Sequence, residues 1–179
     1  MSGVSPPPAS PARLFFALWP DEAVRRELVA IQDAWQWPRS ARRVPPGRLH
    51  LTLHFLAQVP ALQVAALMRQ ADVPLAPFEL TLDAAGLWPG GVAWLRPSTA
   101  PAALLDLQRR LGAALQAFGC ELDTRAYEPH VTLARDARAA MPPAGVQVRW
   151  QVDGYALVES RLEPPGGYTV LRRYGAGQP

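Results

Sequence analysis

Lysine is missing altogether: all 18 basic residues are arginine, set against 15 acids for a net charge of +3. Without it there is no glycine-rich phosphate loop of the Walker type and no lysine to carry an adenylate, so those NTPase and ligase chemistries are excluded. Cysteine is almost as scarce. The single Cys120 rules out an internal disulfide and a cysteine-based zinc knuckle, fits a reducing compartment, and reads as a small buried hydrophobe. No apolar run nears the ~18–20 residues that cross a bilayer, Leu14 to Trp19 being typical. No charged segment followed by an apolar one opens the chain, so a cytoplasmic location and no membrane partner are expected. Ser160 stands in Glu159-Ser160-Arg161 rather than in a G-x-S-x-G elbow, which leaves α/β-hydrolase chemistry without support.

What is present is a globular composition. The chain has 179 residues, 49% hydrophobic and 18% charged, with mean hydropathy −0.02, enough for one domain or two small lobes sharing a core. Arginine-only usage with 20 prolines fits a GC-rich coding bias, yet the planar guanidinium fork remains suited to phosphate. Met1 to Ala12 is rich in proline and serine and is expected to be a disordered tail, with a single domain over residues 13–179. Periodicity predicts a strand over Leu14 to Trp19, a helix over Asp21 to Trp35, an arginine-rich loop over Pro38 to Arg48 and a strand over Leu49 to Leu56. A helix over Val59 to Met68, strands over Phe78 to Leu87 and Val92 to Leu95, and a helix over Pro101 to Phe118 follow. Val146 to Tyr174, with its Pro164–Gly167 turn, reads as a long hairpin.

The order strand, proline, helix occurs twice, through Pro20 and again through Pro97. Thirty residues after Pro20 comes His50-Leu51-Thr52-Leu53, and 33 residues after Pro97 comes His130-Val131-Thr132-Leu133. In a strand, residues i and i+2 share a face, so each word presents a histidine and a threonine on one side and apolar residues on the other. The chain holds three histidines, and two of them fall in this repeated word. If a pseudo-twofold axis relates the halves, the two polar faces meet across a cleft. Two imidazoles titrating near neutrality are then a general base and a general acid, and the threonine hydroxyls can hold the oxygens of a phosphate.

These words and their flanks resemble the two-histidine phosphoesterases, and within them the LigT-like RNA 2',3'-cyclic phosphodiesterases, the 2'-5' RNA ligase family. Arg13 to Leu18 (R-L-F-F-A-L) is similar to that family's first strand. Val44 to Leu56 (V-P-P-G-R-L-H-L-T-L-H-F-L) resembles its first motif and Tyr127 to Arg135 (Y-E-P-H-V-T-L-A-R) its second. Leu157 to Tyr174, with E-S-R-L, resembles its closing strands. The resemblance implies an α+β, bilobal fold of two pseudo-twofold-related lobes around a central cleft, with no metal or other cofactor. It implies hydrolysis of a terminal 2',3'-cyclic phosphate on RNA to a 2'-phosphate, with reverse 2'-5' ligation as the same chemistry run backwards. It gives His50 the role of proton donor and His130 that of proton acceptor, with Thr52, Thr132 and Arg135 as phosphate ligands. A non-catalytic RNA-end binding module and a phosphodiesterase of small cyclic nucleotides are the alternatives, and a monomer is expected.

Weaker candidates surround the motifs. Phe15 and Tyr127 offer aromatic surface on which a base at an RNA end can stack. Arg39, Arg42, Arg43 and Arg48 form a basic run, of which Arg42 and Arg43 are candidates for backbone phosphates. Strand parity puts His54 on the face of His50 and Thr52, roughly 13 Å along the strand, too far to share a metal ion but near enough to edge a cleft. Ala57 replaces the glycine common in the family after F-L.

Overall fold

The structure is a computed structural model that describes residues 10–162 and 166–175. Strand β1 (Ala12–Leu18) leads through Pro20 into helix α1 (Glu22–Ala34). Asp21 caps this helix, its carboxylate accepting from the Val24 N–H at 2.8 Å, which satisfies one of the open amides of the first turn. A two-residue strand β2 (Arg42–Arg43) and a 3-10 turn (Pro46–Arg48) precede β3 (Leu51–Val59). Then come α2 (Val64–Gln70), β4 (Phe78–Leu82), β5 (Ala84–Leu87), β6 (Ala93–Arg96) and α3 (Ala102–Ala117). The chain closes with β7 (Val131–Arg135), β8 (Val148–Val152), β9 (Gly154–Arg161) and β10 (Gly167–Gly175).

The α+β class is as expected. Eight strands form one sheet in the order β10-β9-β1-β3-β7-β6-β5, with β2 also on β7, and β4 and β8 form a second, two-stranded sheet. Each half contributes a strand, a helix and a motif strand, and the motif strands β3 and β7 are neighbours at the centre through the antiparallel pair Leu51–Val131. The expected lobes therefore share one continuous sheet. Alternation along β1 sorts its residues: Leu14, Phe16 and Leu18 enter the main core with Leu28 of α1 and Leu104, Leu107 and Leu111 of α3, while Phe15 and Ala17 lie on the other side with Ala156 and Val158. Helices thus cover one face of the sheet and leave the other to the site.

Several boundaries differ from expectation. Phe78 to Leu87 is two strands in different sheets, because Asp83 turns its carboxylate to the Ser98 N–H and hydroxyl at 2.6 and 2.7 Å and breaks the run. Val146 to Tyr174 is not one hairpin: β8 pairs with β4, and only β9 and β10 form the hairpin. Its expected turn falls partly on residues 163–165, outside the described residues. Val59 ends β3 instead of opening a helix, since Pro60 follows it and α2 begins only at Val64. The arginine-rich loop holds the short strand β2. Residues 1–9 of the expected tail are also outside the described residues, while Ala12 already belongs to β1. Cys120 is half-buried against the core, and burial pushes its thiol up from the usual range.

Candidate active site

His50 and His130 each stand one residue before a motif strand, and both are held the same way. The Nδ1–H of His50 donates to the Arg48 carbonyl at 2.6 Å, and that of His130 to the Glu128 carbonyl at 2.7 Å. A carbonyl can only accept, so each neutral ring carries its proton on Nδ1 and keeps the Nε2 lone pair for other work. The Thr52 hydroxyl lies 3.1 Å from His50 Nε2 and donates to it. The antiparallel pair Leu51–Val131 sets the neighbours on either side of it: His50 lies opposite Thr132, and Thr52 opposite His130. The register thus sets each histidine across from the threonine of the other copy, although the Thr52 hydroxyl bonds to the histidine of its own.

Both motif strands carry an extra residue at the same place. Opposite β1, Phe16 pairs with His54 and Ala17 with Thr52, leaving Leu53 as a bulge. Opposite β6, Ala93 pairs with Ala134 and Trp94 with Thr132, leaving Leu133 as a bulge. A bulge shifts the alternation by one. Arg135, five residues after His130, would face the helices in a regular strand; the bulge returns it to the face of His130. In β3 the bulge acts likewise on Phe55, the register partner of Phe15. It also corrects the parity expected for His54, whose partner is the core residue Phe16 and whose Nε2–H donates to the Gln108 carbonyl of α3 at 2.8 Å. His54 thus turns toward α3, and with Thr52 and Phe55 it still lines the cavity that opens beside β3. Directly after Arg135, Asp136 takes a left-handed backbone (φ 53°) that turns the chain and ends β7, a conformation aspartate tolerates better than most.

A cavity of about 570 Å³ opens at this face, with Thr52, Phe55, Trp88, Tyr127, His130 and Arg135 in its wall. The two histidines differ in surroundings. His50 sits among aromatic rings, with Phe15 at 4.7 Å, Trp19 stacked at 5.7 Å and Tyr168 edge-on at 5.5 Å. Burial there, with a smaller contribution from the charge of His130, lowers its pKa from 6.5 to about 4 against the support of the Arg48 carbonyl. His130 meets the edge of Trp88 at 4.5 Å. Burial lowers its pKa too, with the Glu128 carbonyl and carboxylate opposing and the Arg135 guanidinium adding to the lowering. These shifts leave both rings neutral at pH 7, and a bound anion beside them would favour protonation.

The other candidates separate. Phe15 is 3% exposed and lies under His50 and Tyr168, so it supports the imidazole and has no open ring face for a base. Tyr127 lines the cavity, and its hydroxyl donates to the Thr52 carbonyl at 3.1 Å. Arg42 is the register partner of Arg135 and shares its face, with its Nε 2.6 Å from Asp136. Arg43 is paired with the buried Ala134, and its guanidinium reaches Asp33 of α1 at 2.6 Å on the helix side. Phe55, Tyr168 and Trp88 join the site without having been singled out. Phe55 and Tyr168 keep open ring surface, each 37% exposed, under Arg13 at 4.4 Å and Arg48 at 5.4 Å respectively. Only the bulge and the distant β10 bring these rings here, and neither has a local sequence signal.

The family model of the 2'-5' RNA ligase superfamily matches residues 20–164. The RNA 2',3'-cyclic phosphodiesterase of Escherichia coli (strain K12) is 34% identical over 175 residues, covering 95% of this chain and 99% of that protein. The enzyme of the same name from Thermus thermophilus is 34% identical, covering 90% and 89%. Among solved structures, E. coli LigT complexed with 3'-AMP aligns with a TM-score of 0.83 at 34% identity over 94% of this chain and 99% of its own. With the model spanning most of the chain and relatives matching it nearly end to end, this protein belongs to the 2'-5' RNA ligase superfamily.

Proposed function

We propose that this protein hydrolyses a 2',3'-cyclic phosphate at an RNA or oligonucleotide end to a 2'-phosphate, as the names of its relatives indicate for them. His130 Nε2 takes a proton from water as the oxygen attacks phosphorus. The bond to the ribose 3' oxygen breaks, and His50 Nε2–H delivers a proton to it. Thr52, Thr132 and Arg135 hold the non-reacting oxygens, with the arginine opposing the charge that builds on them. The observation that carries this reading is the matched anchoring of the two rings: each Nδ1–H is tied to the carbonyl two residues earlier, which leaves two Nε2 atoms for one phosphorus. His50 must be protonated to donate, and its pKa of about 4 means that the bound anion has to supply the proton affinity. The phosphate thereby selects the active protonation state.

The test is substitution. His50→Ala and His130→Ala should each lose at least about 10²-fold in kcat on a mononucleotide 2',3'-cyclic phosphate while staying folded. The double variant should be little worse than the worse single one, because acid and base serve a single displacement. A wild type that binds such ends but turns none over is the RNA-end binding module instead. Full activity in either single variant removes the paired-histidine mechanism.

A further inference from the structure

We propose that Gln32 is a positioning residue for Arg135, a step that rests on reading Arg135 as a phosphate ligand. Gln32 is 3% exposed and is the one buried polar or charged side chain among the described residues. It stands on the core side of α1 with Val24 and Leu28, where an aliphatic residue would continue the helix's apolar stripe. Its carboxamide nitrogen has two hydrogens and uses both, donating to the Leu133 carbonyl at 2.8 Å and the Val44 carbonyl at 3.0 Å.

Leu133 is the extra residue of the β7 bulge, and Val44 follows β2. The Leu133 carbonyl also accepts from the Val44 N–H at 2.7 Å. Gln32 therefore staples the bulge of β7 to the end of β2 from the helix side. A bulge interrupts the ladder and leaves backbone groups needing other partners; without the carboxamide the Leu133 carbonyl keeps only the Val44 N–H and the Val44 carbonyl loses this donor. Removing the carboxamide favours a regular register. A regular register turns Arg135 away from His130.

The first half has the counterpart. Gln32 lies eleven residues beyond the α1 cap Asp21, and Gly112 eleven beyond the α3 cap Pro101. At Gly112 a side chain would meet His54, since an added Cβ would stand 3.1 Å from the ring, and His54 reaches past it to the Gln108 carbonyl. In each half, the bulged segment of a motif strand is tied to the helix of the other half, by Gln32 in one case and in the other by His54, which passes Gly112 and bonds one turn earlier at Gln108. The side chain comes from the helix in one case and from the strand in the other. The shared element is the bulge that aims position five after each motif histidine.

Gln32→Met keeps length and removes both donors. Hydrolysis of a mononucleotide 2',3'-cyclic phosphate should be measured with inorganic phosphate as inhibitor, below the melting temperature of each variant. Gln32→Met should weaken phosphate inhibition and raise KM by about tenfold, as Arg135→Met does, and adding Gln32→Met to Arg135→Met should change neither further. A lowered Tm with wild-type KM and phosphate inhibition, or losses that add to those of Arg135→Met, overturns the proposal. Gln32→Glu gives a second readout if Gln32→Met does not fold, because its carboxyl donates only when protonated. Its phosphate affinity relative to wild type should recover as pH falls, and a ratio independent of pH overturns the proposal. Wild-type phosphate binding in Arg135→Met would overturn the reading of Arg135 as well; an unaffected Gln32→Met beside a damaged Arg135→Met overturns the role of Gln32 alone.

Discussion

Leu51 and Val131 are register partners at the centre of the sheet, and that pair places His50 opposite Thr132 and Thr52 opposite His130. The four polar side chains of two separate words thereby become one constellation. The register sets each histidine across from the partner strand's threonine, while Thr52 bonds to the histidine of its own word. A slip of one residue between β3 and β7 would turn one pair to the core.

The proton roles can be told apart by leaving group. On a phosphodiester whose leaving group is a low-pKa phenolate, which scarcely needs a proton, His50→Ala should regain most of its ~10²-fold loss while His130→Ala should not. Steady-state rates on the aryl substrate and on a cyclic nucleotide decide it, and rescue of His130→Ala instead would exchange donor and acceptor.

The empty site and the occupied site should titrate differently. kcat/KM reports the free protein, where the His50 pKa lies at about 4 and that of His130 below its usual 6.5. Its optimum should therefore lie in the acid range. kcat reports the complex, whose bound anion raises both pKa values, so its profile should shift to higher pH. Identical profiles would show that the anion does not control protonation.

Folding stability should fall on the acid side for the same reason. The folded pKa of His50 is depressed from 6.5 to about 4, so the unfolded chain takes up the proton first. Stability is full above about pH 6.5 and is lost as pH falls toward about 4, by ~3 kcal/mol from this ring. His54 and His130, also depressed by burial, act in the same direction. Urea unfolding at pH 7 and pH 5 measures the loss, and His50→Phe, which cannot titrate, should reduce it; equal losses in the two proteins would contradict the depressed His50.

Arg42 and Arg43 should not behave alike. Arg42 lies on the face of Arg135 and is paired with the exposed Asp136, whereas Arg43 lies on the helix side with Asp33. Arg42→Ala should weaken binding of longer RNA and lower its salt slope by about one, leaving mononucleotide hydrolysis within about twofold. Arg43→Ala should leave both unchanged. Binding titrations at several salt concentrations separate them, and matching losses would show that the two face the same ligand.

Much of this protein was legible before folding. The repeated H-x-T-L words at matched distances from Pro20 and Pro97, with their flanks, were sufficient for the α+β class and the family resemblance, because period-2 alternation and proline breaks act over a few residues. The parity of β1, which splits Phe15 from Phe16, was legible for that reason too. Tertiary structure decided what depends on register. The bulges at Leu53 and Leu133 put His54 against α3 and brought Phe55 and Arg135 to the cavity, and no local pattern marks a bulge that exists only against its partner strand. The aromatic surroundings that depress His50 come from β1 and the distant β10, and the split between Arg42 and Arg43 comes from which side of β7 each arginine meets. A sequence read by parity carries the alternation forward unbroken; only pairing with a second strand shows where one residue too many resets it.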